Sequence, residues 1–309
     1  MKSKRMSERA FIAALRGLAR DPAARALLDD AAVLTPPPGP LVLTHDMLVE
    51  GVHFLAGDPP ADVAWKLLAV NLSDLAAKGA TPLGVLMGYG LTGDAAWDAA
   101  FVAGLGAALS AFDVPLLGGD TVAQPAGDAR VLGLTAIGSG GAVVPGRSGA
   151  RAGDALYVTG TIGNAGAGLE VARSGDGAAA LLAAYRRPNP RLPEGRALGP
   201  VVSAMMDVSD GLLIDAERMA AASGVAVEID LAAVPLSPAL KALGTARADR
   251  LTAATAGDDY ELLFALPAAA SLPVAATRIG RFGTGSGLTL VDGAEAVPLP
   301  ARLGYLHAS

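Results

Sequence analysis

The sequence has no cysteine. That excludes disulfides, thiolate metal sites and any thiol nucleophile. Lysine is scarce, at 5 residues against 19 arginines, and there are 3 histidines. Beyond the N-terminal tail the lysines are Lys66, Lys78 and Lys241, so a bound phosphate would draw its positive charge from arginine or from metal ions. No P-loop ending in Gly-Lys-Ser/Thr occurs, and no glycine-rich loop is paired with a strand lysine and a His-Arg-Asp catalytic loop. No uninterrupted apolar run of about 18 residues is present, so no transmembrane helix is expected. The basic start, Met1–Arg9, is followed by no apolar signal core, and the expected location is the cytoplasm. A net charge of −6 argues against broad nucleic-acid binding.

What is abundant is small and acidic. The 309 residues are 52% hydrophobic, with 39 glycines, which suits two globular domains rather than a disordered chain. Aspartate outnumbers glutamate by 22 to 8. The excess of Arg, Ala and Gly fits a GC-rich coding sequence. Asp is also the shorter carboxylate, favoured in turns and at rigid sites for hard cations.

The first half alternates helical and extended patterns. Ser7–Arg20 reads as an amphipathic helix and Leu41–Thr44 as a short strand. Asp62–Lys78 reads as a helix with Trp65, Leu68, Leu72 and Leu75 on one face and Gly79 closing it. Then come a buried strand at Leu83–Tyr89, a helix at Asp94–Phe112, a strand at Pro115–Leu117 leading into Gly118-Gly119-Asp120, and a strand at Arg130–Ile137. Gly138–Arg151 marks the boundary between domains 1–140 and 141–309. The second half offers a strand at Ala155–Thr159, a loop at Arg186–Arg191 and a tight turn at Asp207–Gly211 before a helix at Leu212–Ser223. Strands are expected at Val225–Ile229 and Tyr260–Leu266. The fold class is α/β or α+β.

Asp29-Asp30, Asp46, Asp74, Asp120, Asp207, Asp210 and Asp258-Asp259 all fall near the ends of expected elements. One such Asp is usually a cap or turn residue. Several flanking buried elements point instead to carboxylates that need cations, and all-oxygen ligands select Mg2+, Mn2+ or Ca2+. Gly160-Thr-Ile-Gly163-Asn-Ala-Gly166 follows a strand and opens a helix, so its N–H groups could cradle phosphate or form an ordinary β–α turn.

Seven motifs follow in order. They are Thr44-His-Asp46-Met-Leu-Val-Glu50-Gly51-Val-His53-Phe54, Asn71-Leu-Ser73-Asp74-Leu-Ala-Ala-Lys-Gly79-Ala80, Gly118-Gly119-Asp120-Thr121 and Arg147-Ser-Gly-Ala-Arg-Ala-Gly153-Asp154, then Arg187-Pro188-Asn-Pro190-Arg191, Asp207-Val-Ser209-Asp210-Gly211-Leu212 and Gly257-Asp258-Asp259-Tyr260-Glu261-Leu262. Together they resemble the thiamine-monophosphate kinase family, within the aminoimidazole ribonucleotide synthetase-like superfamily. The resemblance implies two α/β domains, the N-terminal one binding ATP and Mg2+ and dimerising through its sheet, the C-terminal one completing the cleft. It implies ATP-dependent phosphorylation of thiamine monophosphate to thiamine diphosphate with several Mg2+ ions, in a homodimer without nucleic-acid or membrane partners.

Carried over by position, Asp30, Thr44, His45, Asp46, Asp74, Asp120, Asp207 and Asp210 match metal positions, with Asp74 and Asp210 catalytic through the metal. Gly119, Asp120, Arg147 and Ser209 match the ATP site, and Phe112 falls where an aromatic lies near the nucleotide. His53, Asp258 and Tyr305 match substrate contacts. Three positions depart from the family: Leu28 replaces a usual Gly before the first Asp pair, His45 a usual Thr, and Asp258 a usual Glu. The alternatives are a purine-biosynthesis-type ATP enzyme of the same superfamily and an inactive metal- and nucleotide-binding paralogue. The chemistry suits the composition: a phosphate monoester is already anionic near pH 7 and needs no general base, so electrostatic screening rather than proton transfer is the main requirement.

Overall fold

The computed structural model describes residues 6–125 and 127–306; the first residues of the basic start, Met1–Arg5, lie outside them. The chain forms two mixed α/β units, Met1–Leu75 with Thr81–Ser139, and Ala76–Ala80 with Gly140–Ser309.

The first unit runs α1 (Glu8–Arg16), β1 (Leu41–Val49), α2 (Pro60–Ala76), β2 (Thr81–Leu91), α3 (Ala95–Phe112), β3 (Leu116–Ala123) and β4 (Val131–Ser139). Its sheet has the order β1-β4-β2-β3, with β2 and β3 parallel and the other pairs antiparallel. Strand alternation divides the residues between two faces. Leu48, Val85, Met87, Tyr89, Leu132, Leu134 and Ala136 line the buried face. Leu41, Leu43, Met47 and Val131 lie on the other and stay exposed. Aromatic contacts tie helices to the buried face: Phe11 of α1 stacks on Tyr89 at 4.4 Å, and Phe101 of α3 meets the same ring at 5.0 Å. Leu68, Leu72 and Leu75 of α2 are fully buried as their spacing predicts, whereas Trp65 is half-buried against Phe112, 4.9 Å between centroids. By length and composition α3 is apolar enough to cross a membrane; here Phe101, Leu105 and Ala108 are core residues.

β1, β2 and β3 are longer than their sequence suggests, and two of these extensions bear on the site. β1 continues through His45 and Asp46 to Val49, because all nine of its residues pair with β4. β3 carries Gly118-Gly119-Asp120 in its interior rather than after its end. Gly119 makes this possible: at φ 156 it lies so close to β2 that a Cβ would sit 1.9 Å from the Met87 carbonyl oxygen.

The second unit runs β5 (Ala155–Val158), α4 (Asn164–Ser174), α5 (Ala179–Arg186), α6 (Leu192–Leu198), β6 (Ala204–Asp207), α7 (Leu212–Ser223), β7 (Ala226–Asp230), α8 (Pro238–Leu243), α9 (Arg247–Thr255), β8 (Leu262–Leu266), β9 (Thr277–Gly283), β10 (Gly287–Asp292) and β11 (Glu295–Val297). Its sheet order is β11-β10-β7-β9-β5-β8-β6, with β7 and β10 the parallel pair. Leu212, Leu213, Ala216, Met219 and Ala220 of α7 share its core with Val158, Ile229, Leu263 and Ile279. Gly224 ends α7 in the left-handed conformation favoured at helix C-termini.

Gly104 sets how closely α2 and α3 approach, since a Cβ there would stand 2.3 Å from the Ala61 Cα. Gly104→Ala should push the helices apart and destabilise the unit by about 1–3 kcal/mol, read as a lower melting temperature. An unchanged melt would show that the helices slide apart at no cost.

Candidate active site

As β1 alternates between faces, Thr44 and Asp46 share the side of buried Leu48, and His45 takes the open side. The last turns of α2 bring Asp74 to the first pair. The Thr44 hydroxyl donates to Asp74 Oδ2. The Asp46 amide donates to Asn71 Oδ1 at 2.9 Å, and Asn71 is held in turn by the Leu67 carbonyl, also at 2.9 Å. Burial, followed by the negative charge of Asp74, pushes the Asp46 carboxyl up to about 6, with His45 opposing the shift. Thr44, Asp46 and Asp74 offer hard oxygen donors in a group short of positive charge, which fits Mg2+ chemically. Among the described residues no three His, Asp or Glu side chains gather closely enough to hold an ion by themselves.

A cavity of about 680 Å³ in the first unit brings together Asp30, His45, Gly119 and Asp120. Asp30 is delivered by an unusual turn, for Arg25, Ala26 and Leu27 all have left-handed φ values of 48°, 54° and 51°, and an Arg25–Asp29 ion pair closes it. Leu28 itself sits at φ −109°, so the position needs no glycine; the strain falls on the three residues before it. The His45 ring lies 2.9 Å, Nδ1 to Oγ1, from Thr135. Phe112 is not among the cavity's lining and packs instead on Trp65. His53 lies in the turn after β1, where its Nδ1 accepts the Val49 amide at 3.0 Å. A neutral ring there carries its proton on Nε2. Lys66 Nζ fixes the same turn through the His53 carbonyl at 2.9 Å.

In the second unit, three segments meet at the turn between β6 and α7. The Asp258 amide donates to the Ser209 carbonyl, the Tyr260 amide to that of Val208 and the Tyr305 amide to that of Asp210, each at 2.8 Å. Ser209, Asp210, Asp258 and Tyr305 are thereby neighbours, with Asp207 at the end of β6. Asp258 and Tyr260 adopt left-handed φ values of 68° and 51°, and the Tyr260 hydroxyl donates to Asp258 Oδ1 at 3.1 Å. Arg147 is exposed in the stretch before β5.

Three acids shape this unit; Asp259 and Glu261 stand in a sequence motif, whereas Asp215 is not singled out from the sequence. Asp215 is fully buried; its Oδ2 accepts the Ser209 and Asp210 amides at 3.1 Å each, and Arg218 donates to its Oδ1 at 3.0 Å. Burial pushes its carboxyl up to about 6. An Asp in the first turn of the otherwise apolar start of α7 was the available signal. Asp259 accepts the Gly163 and Ala165 amides at 2.7 and 3.3 Å, so two donors of the Gly160–Gly166 turn serve the protein's own carboxylate. Glu261 receives Arg191 through Nε at 2.7 Å and Nη2 at 2.5 Å, and the Thr159 hydroxyl at 2.7 Å; Arg191 thus clamps its loop.

Burial raises the Asp259 carboxyl to about 8, outweighing its two amide partners. The folded state then holds a proton that the unfolded chain releases near pH 4, so stability falls as pH rises from about 4 to 8. The melting temperature should decline over that range, and Asp259→Asn should flatten the decline whatever its absolute stability. An identical slope in the variant would place the titration elsewhere.

Residues 28–139 match the family model of the AIR synthase related protein N-terminal domain, and residues 151–293 that of its C-terminal domain. The chain is 42% identical over 316 aligned positions to thiamine-monophosphate kinase from Caulobacter vibrioides, covering 95% of this chain and 88% of the relative. It is 38% identical to the Escherichia coli enzyme of the same name, covering 90% of each. The structure matches the crystal structure of thiamine-monophosphate kinase from Stenotrophomonas maltophilia with a TM-score of 0.80, at 38% identity, covering 93% of this chain and 95% of that one. It matches AaThiL complexed with AMPPCP and TMP with a TM-score of 0.78, at 30% identity and 99% coverage of both. A hydrogenase maturation protein, Escherichia coli HypE, matches at 0.79 but 21% identity, a likeness of fold alone. With both domain models matched in order and full-length relatives this similar, the chain belongs to the thiamine-monophosphate kinase family of AIR synthase related proteins.

Proposed function

We propose that this protein transfers the γ-phosphoryl group of ATP directly to the phosphate of thiamine monophosphate, giving thiamine diphosphate. The observation that carries the reading is the pairing of Asp46 with Asp74 on rigid elements, where burial and then the negative charge of Asp74 raise the Asp46 carboxyl. Such a pair suits a site that receives Mg2+ with its substrates, since Mg2+ is commonly held by one or two carboxylates plus phosphate oxygens. Asp30, Thr44, Asp46, Asp74, Asp120, Asp207 and Asp210 would hold the ions through side chains, and His45 through its backbone carbonyl. Bound Mg2+ supplies charge screening between the two phosphate groups and alignment for in-line attack.

The chain's own residues do the rest. The backbone of Gly119 in β3 offers close approach to the nucleotide phosphates beside Asp120, and Ser209 and Arg147 add a hydroxyl and a cation. Phe112 would reach the nucleotide only by leaving its packing on Trp65. With its Nδ1 engaged, His53 acts as an Nε2–H donor to a substrate oxygen rather than as a general base. The acceptor phosphate needs none. Asp258, anchored to Ser209, attracts the cationic thiazolium ring, and Tyr305 lies beside the same turn. The exposed Leu41, Leu43, Met47 and Val131 on the open face of the first sheet support a homodimer formed through that face. The expected compartment is the cytoplasm.

An ATP-dependent assay of thiamine monophosphate against purine ribonucleotide substrates tests the activity directly. Turnover is expected with thiamine monophosphate alone; turnover with a purine substrate would assign the rival chemistry. Asp258→Asn should raise KM for thiamine monophosphate by about 10-fold or more while leaving KM for ATP nearly unchanged. Equal loss for both substrates would place Asp258 at the metals, and no loss would make it a turn residue.

A further inference from the structure

Asp210 is not left bare. Arg218, two turns along α7, donates through Nη1 both to Asp210 Oδ2 and to Asp215 Oδ1. The two acids are not equivalent partners. Asp215 is wholly enclosed, with its second oxygen committed to the Ser209 and Asp210 amides. Asp210 is partly exposed, with a fifth of its side-chain surface open, and Arg218 with about a third, 20% and 32%. The guanidinium therefore has one enclosed anchor and one exchangeable partner that faces solvent.

We propose that Arg218 is a placeholder cation for the metal position at Asp210, and that Asp215 is the anchor that keeps it there. The proposal rests on reading Asp210 as a Mg2+ ligand. Without the arginine, Asp210 and the enclosed Asp215 would repel each other at the turn that presents Ser209 and Asp210 to ligands. With it, one of those two negative charges is balanced in the resting protein. An incoming cation must displace one positive charge to reach Asp210. A monovalent ion gains no charge by that exchange, whereas a divalent ion does. Arg218 and Asp215 are thus positioning residues that set the threshold for metal entry, and they act through Asp210 rather than on the reacting atoms.

The test is a Mn2+ titration of the full-length protein without nucleotide, following the loss of the free-ion EPR signal. Arg218→Met, which keeps the stem and removes the charge, should bind Mn2+ about 10-fold more tightly than the parent. Arg218→Lys retains a cation without the planar fork, and should shift affinity in the same direction by about 3-fold. It also serves if the Met variant does not fold, judged by its thermal melt. Unchanged or weaker Mn2+ binding in a folded Arg218 variant would overturn the placeholder role and make Arg218 a permanent structural counter-ion. In the same titration Asp210→Asn should weaken Mn2+ binding. If it binds as the parent does, the ligand reading of Asp210 fails and the proposal fails with it.

Discussion

Repulsion between carboxylates that rigid elements hold close together is the constraint on which the rest of this structure turns. Asp46 is fixed in a strand paired along its whole length, and Asp74 near the end of a helix whose leucines are fully buried. Neither can retreat without disturbing a sheet or a core. Thr44 gives Asp74 one hydroxyl, and Asn71 holds the Asp46 backbone rather than its side chain. Burial first, and the charge of Asp74 second, raise the Asp46 carboxyl. A cation placed there would relieve the repulsion, and phosphate groups that arrive with cations would suit the proposed function.

The second unit handles its buried acids differently. Asp259 closes the start of α4, Glu261 is saturated by Arg191 and Thr159, and Asp215 holds the two amides at the head of the Asp207–Gly211 turn. Each is matched by donors from its own unit, as buried polar groups generally are. Their work is to shape the surroundings of Ser209, Asp210 and Asp258. The acidic motif around Asp258 is therefore mixed in purpose: Asp259 and Glu261 build the scaffold, and Asp258, held in a left-handed conformation beside Ser209, is the one set toward the turn.

Helices with strong local signals were legible in the sequence. The leucine spacing of α2, the Asp94 cap of α3 and the Gly224 stop of α7 all act within a few residues. The strands were less legible where pairing decides them. β1 looks short because a His-Asp pair follows Thr44, yet alternation carries it on, and its exposed apolar residues blur the usual in–out pattern. The glycines of β3 read as a turn because nothing local reveals that β2 lies against them. β9, β10 and β11 escaped notice: β9 mixes glycine and arginine with few apolar residues, and β10 and β11 are only six and three residues long. At the candidate site, the motif residues were named from their order along the chain. Asp215, Arg218 and the roles of Asp259 and Glu261 were not, because their meaning lies in contacts that only the folded chain makes.

If the Asp46–Asp74 pair receives a divalent cation together with nucleotide, the ion itself must be found there. The most direct measurement is anomalous diffraction from crystals grown with Mn2+ and a non-hydrolysable ATP analogue. A Mn2+ peak is expected within bonding distance of carboxylate oxygens of both Asp46 and Asp74, with a phosphate oxygen completing its ligands. Nucleotide bound with no anomalous peak at that pair would contradict it.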